Sequence, residues 1–237
     1  MPTDTPAPRL YSGPLSMFGA KAQIALLEKS IAFELVMVPF DKGDRYEPKH
    51  PEVLRVNPVK QQVPVLIDRR GDDVVELFDS TQIFEYIEDL KPEPALWPTG
   101  TAARARARLL EHQSDEVFFP QVVRLFALQD EMQSPAAQAA CAACARHYAV
   151  LDAALARAGF LAGTYSFADI AFYMAQVFAE RKGALLTAAT PHLMAWRERI
   201  GARPAVREVV GPMMRFLASE GRPVPEPFRS LLVSARG

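Results

Sequence analysis

Cysteine is nearly missing from this chain of 237 residues; there are two, Cys141 and Cys144. That count excludes a disulfide-stapled secreted scaffold. Their CxxC spacing falls in an alanine-rich stretch, 136–145, that reads as helix interior. A redox pair is expected at a helix N-terminus behind a strand, and a zinc site needs two further ligands nearby. Small buried helical thiols are the simpler account, and no metal is expected. A surplus of charge is missing too: 27 basic residues face 28 acidic ones, for a net charge of −1. No global field then draws nucleic acid or an anionic membrane. No apolar run approaches the roughly 20 residues that span a bilayer. Residues 1–8 are polar and proline-rich, without the basic start and apolar core of a signal peptide, so a cytoplasmic location is the expectation. What remains is an ordinary globular composition, 49% hydrophobic and 23% charged, at a length suited to one large domain or two modest ones.

Periodicity divides the chain in two. Residues 9–12 read as a strand broken by Gly13-Pro14. From Ser16, Ala20, Ile24, Leu27 and Ile31 recur at helical spacing, and Ser30 closes that helix. A strand over 33–39, a polar loop over 41–51 and one helical turn over 53–56 follow. Residues 63–68 and 74–78 form a hairpin around Gly71, and 80–90 is a helix with Ile83, Phe84 and Ile87 on one face. This β-α-β-α-β-β-α order predicts an α/β thioredoxin-like domain over 8–91. After the proline-rich linker 91–100, every segment reads helical, which predicts an all-α C-terminal domain over 101–220. Its helices are expected at 102–130, kinked at Pro120, then at 136–158, 167–181, 192–200 and 205–217, before a proline-rich tail. The 167–181 segment is apolar nearly all round and should be the buried centre. Ser166 and Asp169, flanked by Tyr165 and Ile170, form a capping box with a hydrophobic staple at its start.

Two short motifs carry the functional signal. In Asn57-Pro58-Val59-Lys60-Gln61-Gln62-Val63-Pro64, a proline opens a buried strand, where it cannot donate to the ladder. A cis bond in a tight turn is one reason for it, and would leave the Val63 backbone free to pair with an outside chain. Asp79-Ser80 then opens a helix whose free N–H groups suit a carboxylate. Asp79 with Gln82 also fits a capping box. Together the motifs suit a peptide-shaped anion.

In that order and at that distance, these residues resemble the glutathione-binding half of the glutathione transferase family, in its serine-type, bacterial, theta/zeta/β-etherase-like branches. The Tyr165–Ile170 box resembles the family's helical domain, so the likeness runs over about 9–217. The resemblance implies that Val63-Pro64 pairs with the cysteinyl backbone of glutathione and that Asp79 and Ser80 hold its γ-glutamyl end. Lys49 and Gln62, with His50 as a weaker candidate, would meet the glycyl end. Ser16, eight positions before the Ile24-Ala25-Leu26 stretch, falls where serine-type members keep the residue that stabilises the thiolate. Ser12 and Tyr11 are the rival donors. No cysteine lies in this region, which argues against thiol exchange. Met17, Phe18, Phe118, Phe119 and Arg124 are candidates to line the second-substrate site. Two departures are visible: the Pro58–Pro64 stretch is one residue longer than the family's usual spacing, and Asp79 stands where glutamate is commoner.

The expectation is therefore a cytoplasmic, homodimeric glutathione transferase of detoxification type. It would activate glutathione, its co-substrate, for attack on a small electrophilic and apolar molecule. The alternatives are a non-catalytic glutathione- or ligand-binding protein of the same fold, or a glutathione-dependent lyase or isomerase.

Overall fold

A computed structural model describes residues 6–41 and 45–232; residues 42–44 of the expected polar loop and the chain ends lie outside them. Strands β1 (Arg9–Ser12), β2 (Glu34–Met37), β3 (Val65–Arg70) and β4 (Asp73–Phe78) form one sheet in the order β2-β1-β3-β4. β1 runs parallel to β2, with Leu10 opposite Leu35, and antiparallel to β3, with Leu10 opposite Leu66. β3 and β4 close a hairpin in which Val65 faces Phe78.

Alternation along β1 divides the core. Leu10 joins the main hydrophobic cluster under α1 (Met17–Glu28) and α3 (Ser80–Leu90). Tyr11 points the other way, into a small cluster with Val53 and Val65 beneath α2 (Pro51–Val56). The hairpin is displaced from the predicted 63–68 to Val65–Arg70, because the ladder starts only after Val63-Pro64, whose peptide bond is cis.

The second half is helical: α4 (Thr101–Gln113), α5 (Phe119–Ala127), α6 (Pro135–Leu155), α7 (Phe167–Arg181), α8 (Pro191–Gly201) and α9 (Pro204–Ser219). The long helix expected over 102–130 runs without a break from Thr101 to Ala127, but its hydrogen-bond pattern changes midway. It is α4 and α5 joined by a π turn at Ser114–Phe118. Pro120 is the second residue of α5, directly after the π turn, and the change of helix phase falls at that turn rather than as a break at the proline. Within the proline-rich tail, Glu226–Leu232 is a short helical segment that packs against α9 and buries Phe228.

Every residue of α7 from Phe167 to Glu180 is buried, and α1 packs against α7 and α9. Phe84 of α3 stacks on Phe167 of α7 at 3.8 Å, and Trp97 from the linker meets Phe84 edge-on at 5.0 Å. Glu88 ties down the same linker, accepting from the backbone N–H groups of Leu96 and Trp97 and from Lys29 Nζ at 2.6 Å. Asp169 closes the cap of α7: it accepts from the Ser166 N–H at 3.0 Å, the Leu161 N–H at 2.9 Å and the Trp196 indole at 2.8 Å. Burial holds its carboxyl above the ordinary range despite these donors.

Candidate functional site

Where the sheet side meets α5 and α7, a cleft of about 460 Å³ opens. Leu15 to Phe18, from the start of α1, form one edge. Arg45 to Glu47, Lys49, Gln62 and Val63 form the polar side, and Phe119, Val123, Phe126 and Phe178 the apolar wall.

Ser16 is the N-cap of α1. Its Oγ accepts from the Gly19 N–H at 3.0 Å, which satisfies one orphan donor of the first turn and directs the serine proton elsewhere. Gly19 must be glycine: a Cβ there would lie 2.0 Å from Ser12 Oγ. Across the cleft, Val63 precedes the cis proline, and among the described residues neither its N–H nor its C=O pairs with another backbone group. Lys49 is paired with Glu47 at 3.4 Å.

Asp79 takes a left-handed backbone, φ 77°, which is unusual for a residue other than glycine. Its carboxylate accepts from the N–H groups of Thr81 at 3.0 Å and Gln82 at 3.3 Å, leaving Ser80 Oγ buried without a partner among the described residues. This helix start is braced against α1 and α4. Thr81 donates to Glu111 at 2.6 Å, and fully buried Lys21 meets Glu111 at 2.9 Å and Asp115 at 2.5 Å. Burial, opposed by Lys21, lifts the Asp115 carboxyl to about 6, and the nearby charges of Glu111 and Asp79 add to the rise.

Ser16, Met17, Phe18, Lys49, Gln62, Val63 and Phe119 thus line one cleft. Other expected residues stand elsewhere. Tyr11 lies on the far face of β1 against His50, at 4.9 Å between rings, and cannot meet a thiol in the cleft. Ser12 is fully buried, and its Oγ is taken by Gln23 at 2.9 Å. His50 caps α2, its Nδ1 accepting from the Glu52 N–H. Phe118 belongs to the core beside Phe172, at 5.0 Å, and Arg124 is exposed and bonded to Gln121. The π turn explains both: it rephases α5 so that Phe119, Val123 and Phe126, at i, i+4 and i+7, present the cleft stripe. Cys141 and Cys144 lie inside α6, where burial pushes the Cys144 thiol up to about 12.

Tyr46 and Arg181 were not legible in advance. The Tyr46 ring lies over Gly13, where a Cβ would come 2.1 Å from Cε1, and its phenol stands near Ser16 and Leu15. Burial raises that phenol well above the ordinary tyrosine range. Arg181, the last residue of α7, reaches the same cleft; the charged end of an otherwise apolar helix was the only signal for it.

A four-stranded α/β unit is joined to a helical bundle, with a polar and aromatic cleft where they meet. Comparisons give the chain's family. The family model described as the glutathione S-transferase N-terminal domain matches residues 10–95, and that for the C-terminal domain matches residues 116–204. Glutathione S-transferase 3 of Zea mays is 33% identical over 215 residues, covering 85% of this chain and 92% of the relative. The chain belongs to the glutathione S-transferase family. A solved glutathione S-transferase from Rhodospirillum rubrum F11 is similar at 26% identity with a TM-score of 0.72, covering 85% of this chain and 91% of that one. A stringent starvation protein A homolog of Coxiella burnetii is 34% identical over 112 residues, a match that spans about half of each chain, 46% and 47%. Among the described residues, no group of three or more side chains is placed to hold a metal ion, and no helix is long and apolar enough to cross a membrane.

Proposed function

We propose that the protein is a glutathione transferase. In this reading glutathione lies along the polar side of the cleft, its cysteinyl backbone on Val63, its glycyl end toward Lys49 and Gln62, and its γ-glutamyl end at Asp79 and Ser80. The observation that carries the reading is Ser16. Its hydroxyl stands on the cleft edge with one lone pair held by the Gly19 N–H, so its proton is free to point at a sulfur. A free thiol loses its proton near pH 8.5; a donated hydrogen bond and the adjacent helix N-terminus favour the thiolate. The thiol proton passes to solvent and the thiolate attacks the electrophilic carbon. A carbon–sulfur bond forms while the leaving group departs with its electron pair. Phe18, Phe119, Phe126 and Phe178 supply an apolar seat for that electrophile. The fold is read as two domains, 8–91 and 101–220. Family likeness supports reading the protein as a cytoplasmic homodimer with a detoxifying role.

A second reading is a glutathione-binding protein without turnover. It is favoured by the Tyr46 phenol, which stands near Ser16 where it competes with a thiol for the serine hydroxyl, and is in keeping with a relative whose name is not that of a transferase. Calorimetry with glutathione, alongside turnover of several aryl and alkyl halides, separates the two. Binding with turnover supports the transferase, and binding without any turnover supports the second reading. Absence of binding at millimolar glutathione refutes both.

A further inference from the structure

Among the described residues, Arg181 is a cation without a paired anion. It ends α7, and its guanidinium lies in the cleft wall beside Phe178, 4.5 Å from the ring centre. Its Nη1 is buried with no hydrogen-bond partner, and no carboxylate among the described residues pairs with it. A purely structural arginine at a helix end would be expected to bond the last carbonyls or a nearby acid. A desolvated, unpaired cation is instead unfavourable until an anion arrives. Burial pulls this guanidinium down to about 10, which leaves it charged at neutral pH. Its surroundings share the sign. Lys182 sits over Phe126 at 4.3 Å, close enough that Arg181 helps lower its ammonium, and Arg222 lines a groove on the other side of Arg181. Among the described residues lining the cleft the one acid, Glu47, is paired with Lys49. The Tyr46 phenol stands between the two functional ends, near Ser16 on one side and within electrostatic reach of Arg181 on the other.

We propose that the second-substrate end of the cleft is built for aromatic or conjugated electrophiles that carry a carboxylate, with Arg181 as the group that holds it. The phenylalanine wall takes the ring and the guanidinium takes the anion, while the electrophilic carbon faces Ser16. The proposal deepens the transferase reading and rests on it.

The probes are glutathione itself, S-(4-carboxy-2,6-dinitrophenyl)glutathione and the methyl ester of that aryl carboxylate. Calorimetry on the wild type is expected to give the acid an affinity roughly tenfold or more above that of the ester, the worth of one charged hydrogen-bonded contact. Arg181→Met should erase the difference, Arg181→Lys should keep part of it, and the affinity for glutathione should stay the same in all three proteins. Equal affinity of the wild type for acid and ester would overturn the assignment. So would a loss in Arg181→Met shared equally by both conjugates and by glutathione, since Arg181 would then serve the tripeptide. The wild-type comparison requires no variant, so misfolding cannot mask it. Failure of glutathione itself to bind marks the collapse of the underlying reading, a separate outcome.

Discussion

Lys21 is fully buried between two carboxylates, Glu111 at 2.9 Å and Asp115 at 2.5 Å, and replacing it with Met tests how the two halves of the chain are joined. Met keeps most of the volume and apolar stem, so the change is chiefly one of charge. Asp115 titrates near 6 even with Lys21 beside it. Against an ordinary aspartate near 4, that is about 3 kcal/mol of burial cost already carried at neutral pH. Without Lys21 the carboxyl has no reason to stay ionised, and holding it protonated at about pH 8 costs roughly 5–6 kcal/mol relative to the unfolded chain. The increment for Asp115 is therefore about 2–3 kcal/mol. Glu111 loses Lys21 but keeps the Thr81 hydroxyl, adding roughly 1–2 kcal/mol. The expected loss at pH 8 is about 3–5 kcal/mol, in the range found for breaking a buried pair. The pH dependence follows in sign. Asp115 binds its proton more tightly folded than unfolded, so it favours the fold below about pH 4 and gives up that contribution as pH rises through 6. At about pH 5 the carboxyl is already protonated in both proteins, and the penalty should shrink to roughly 1–2 kcal/mol. Urea unfolding of both proteins at the two pH values measures this. A loss at pH 8 below 1 kcal/mol, or one that does not shrink at pH 5, refutes the reasoning.

Three further outcomes are expected. Ser16→Ala should cost about 1 kcal/mol of stability through the lost cap and lower kcat about a hundredfold as the thiolate loses its donor, with glutathione still bound; unchanged kcat would remove Ser16 from the chemistry. Gly13→Ala puts a methyl 2.1 Å from the Tyr46 ring and should displace the tyrosine, at a cost of roughly 1–3 kcal/mol; an unmoved Tyr46 ring resonance in NMR spectra would contradict that packing. Asp169→Ala strands the N–H groups of Leu161 and Ser166 and the Trp196 indole, so thermal or urea denaturation should show a loss of at least about 3 kcal/mol, and a loss under 1 kcal/mol would count against its role as the hub of the α7 cap.

Some of this was legible in the sequence because local signals are strong where backbone needs are local. The bounds of α3 and α7 follow from their caps, Asp79 and Ser166, and from hydrophobic spacing. Ser16 declares itself as the residue after a Gly-Pro break and before an apolar helix. The π turn was not legible, since one extra residue in a helical hydrogen-bond pattern leaves no mark in composition, and that residue moved Phe118 into the core and Phe119 into the cleft. Tyr46 was missed because its contact with Gly13 joins residues 33 positions apart in a loop without periodicity. Strand alternation turns Leu10 and Tyr11 to opposite faces of β1, but does not say which face meets the cleft, so Tyr11 stays a rival donor until the structure places it.

The central claim is that Ser16 holds glutathione as a thiolate in this cleft. Its most direct test is an ultraviolet titration of enzyme-bound glutathione, following thiolate absorbance against pH in the wild type and in Ser16→Ala. The account predicts a midpoint for the bound thiol well below the free value of about 8.5, at roughly pH 7 or lower, with Ser16→Ala returning it toward the free value. A bound thiol that titrates like free glutathione, or a lowered midpoint that survives Ser16→Ala, would contradict it.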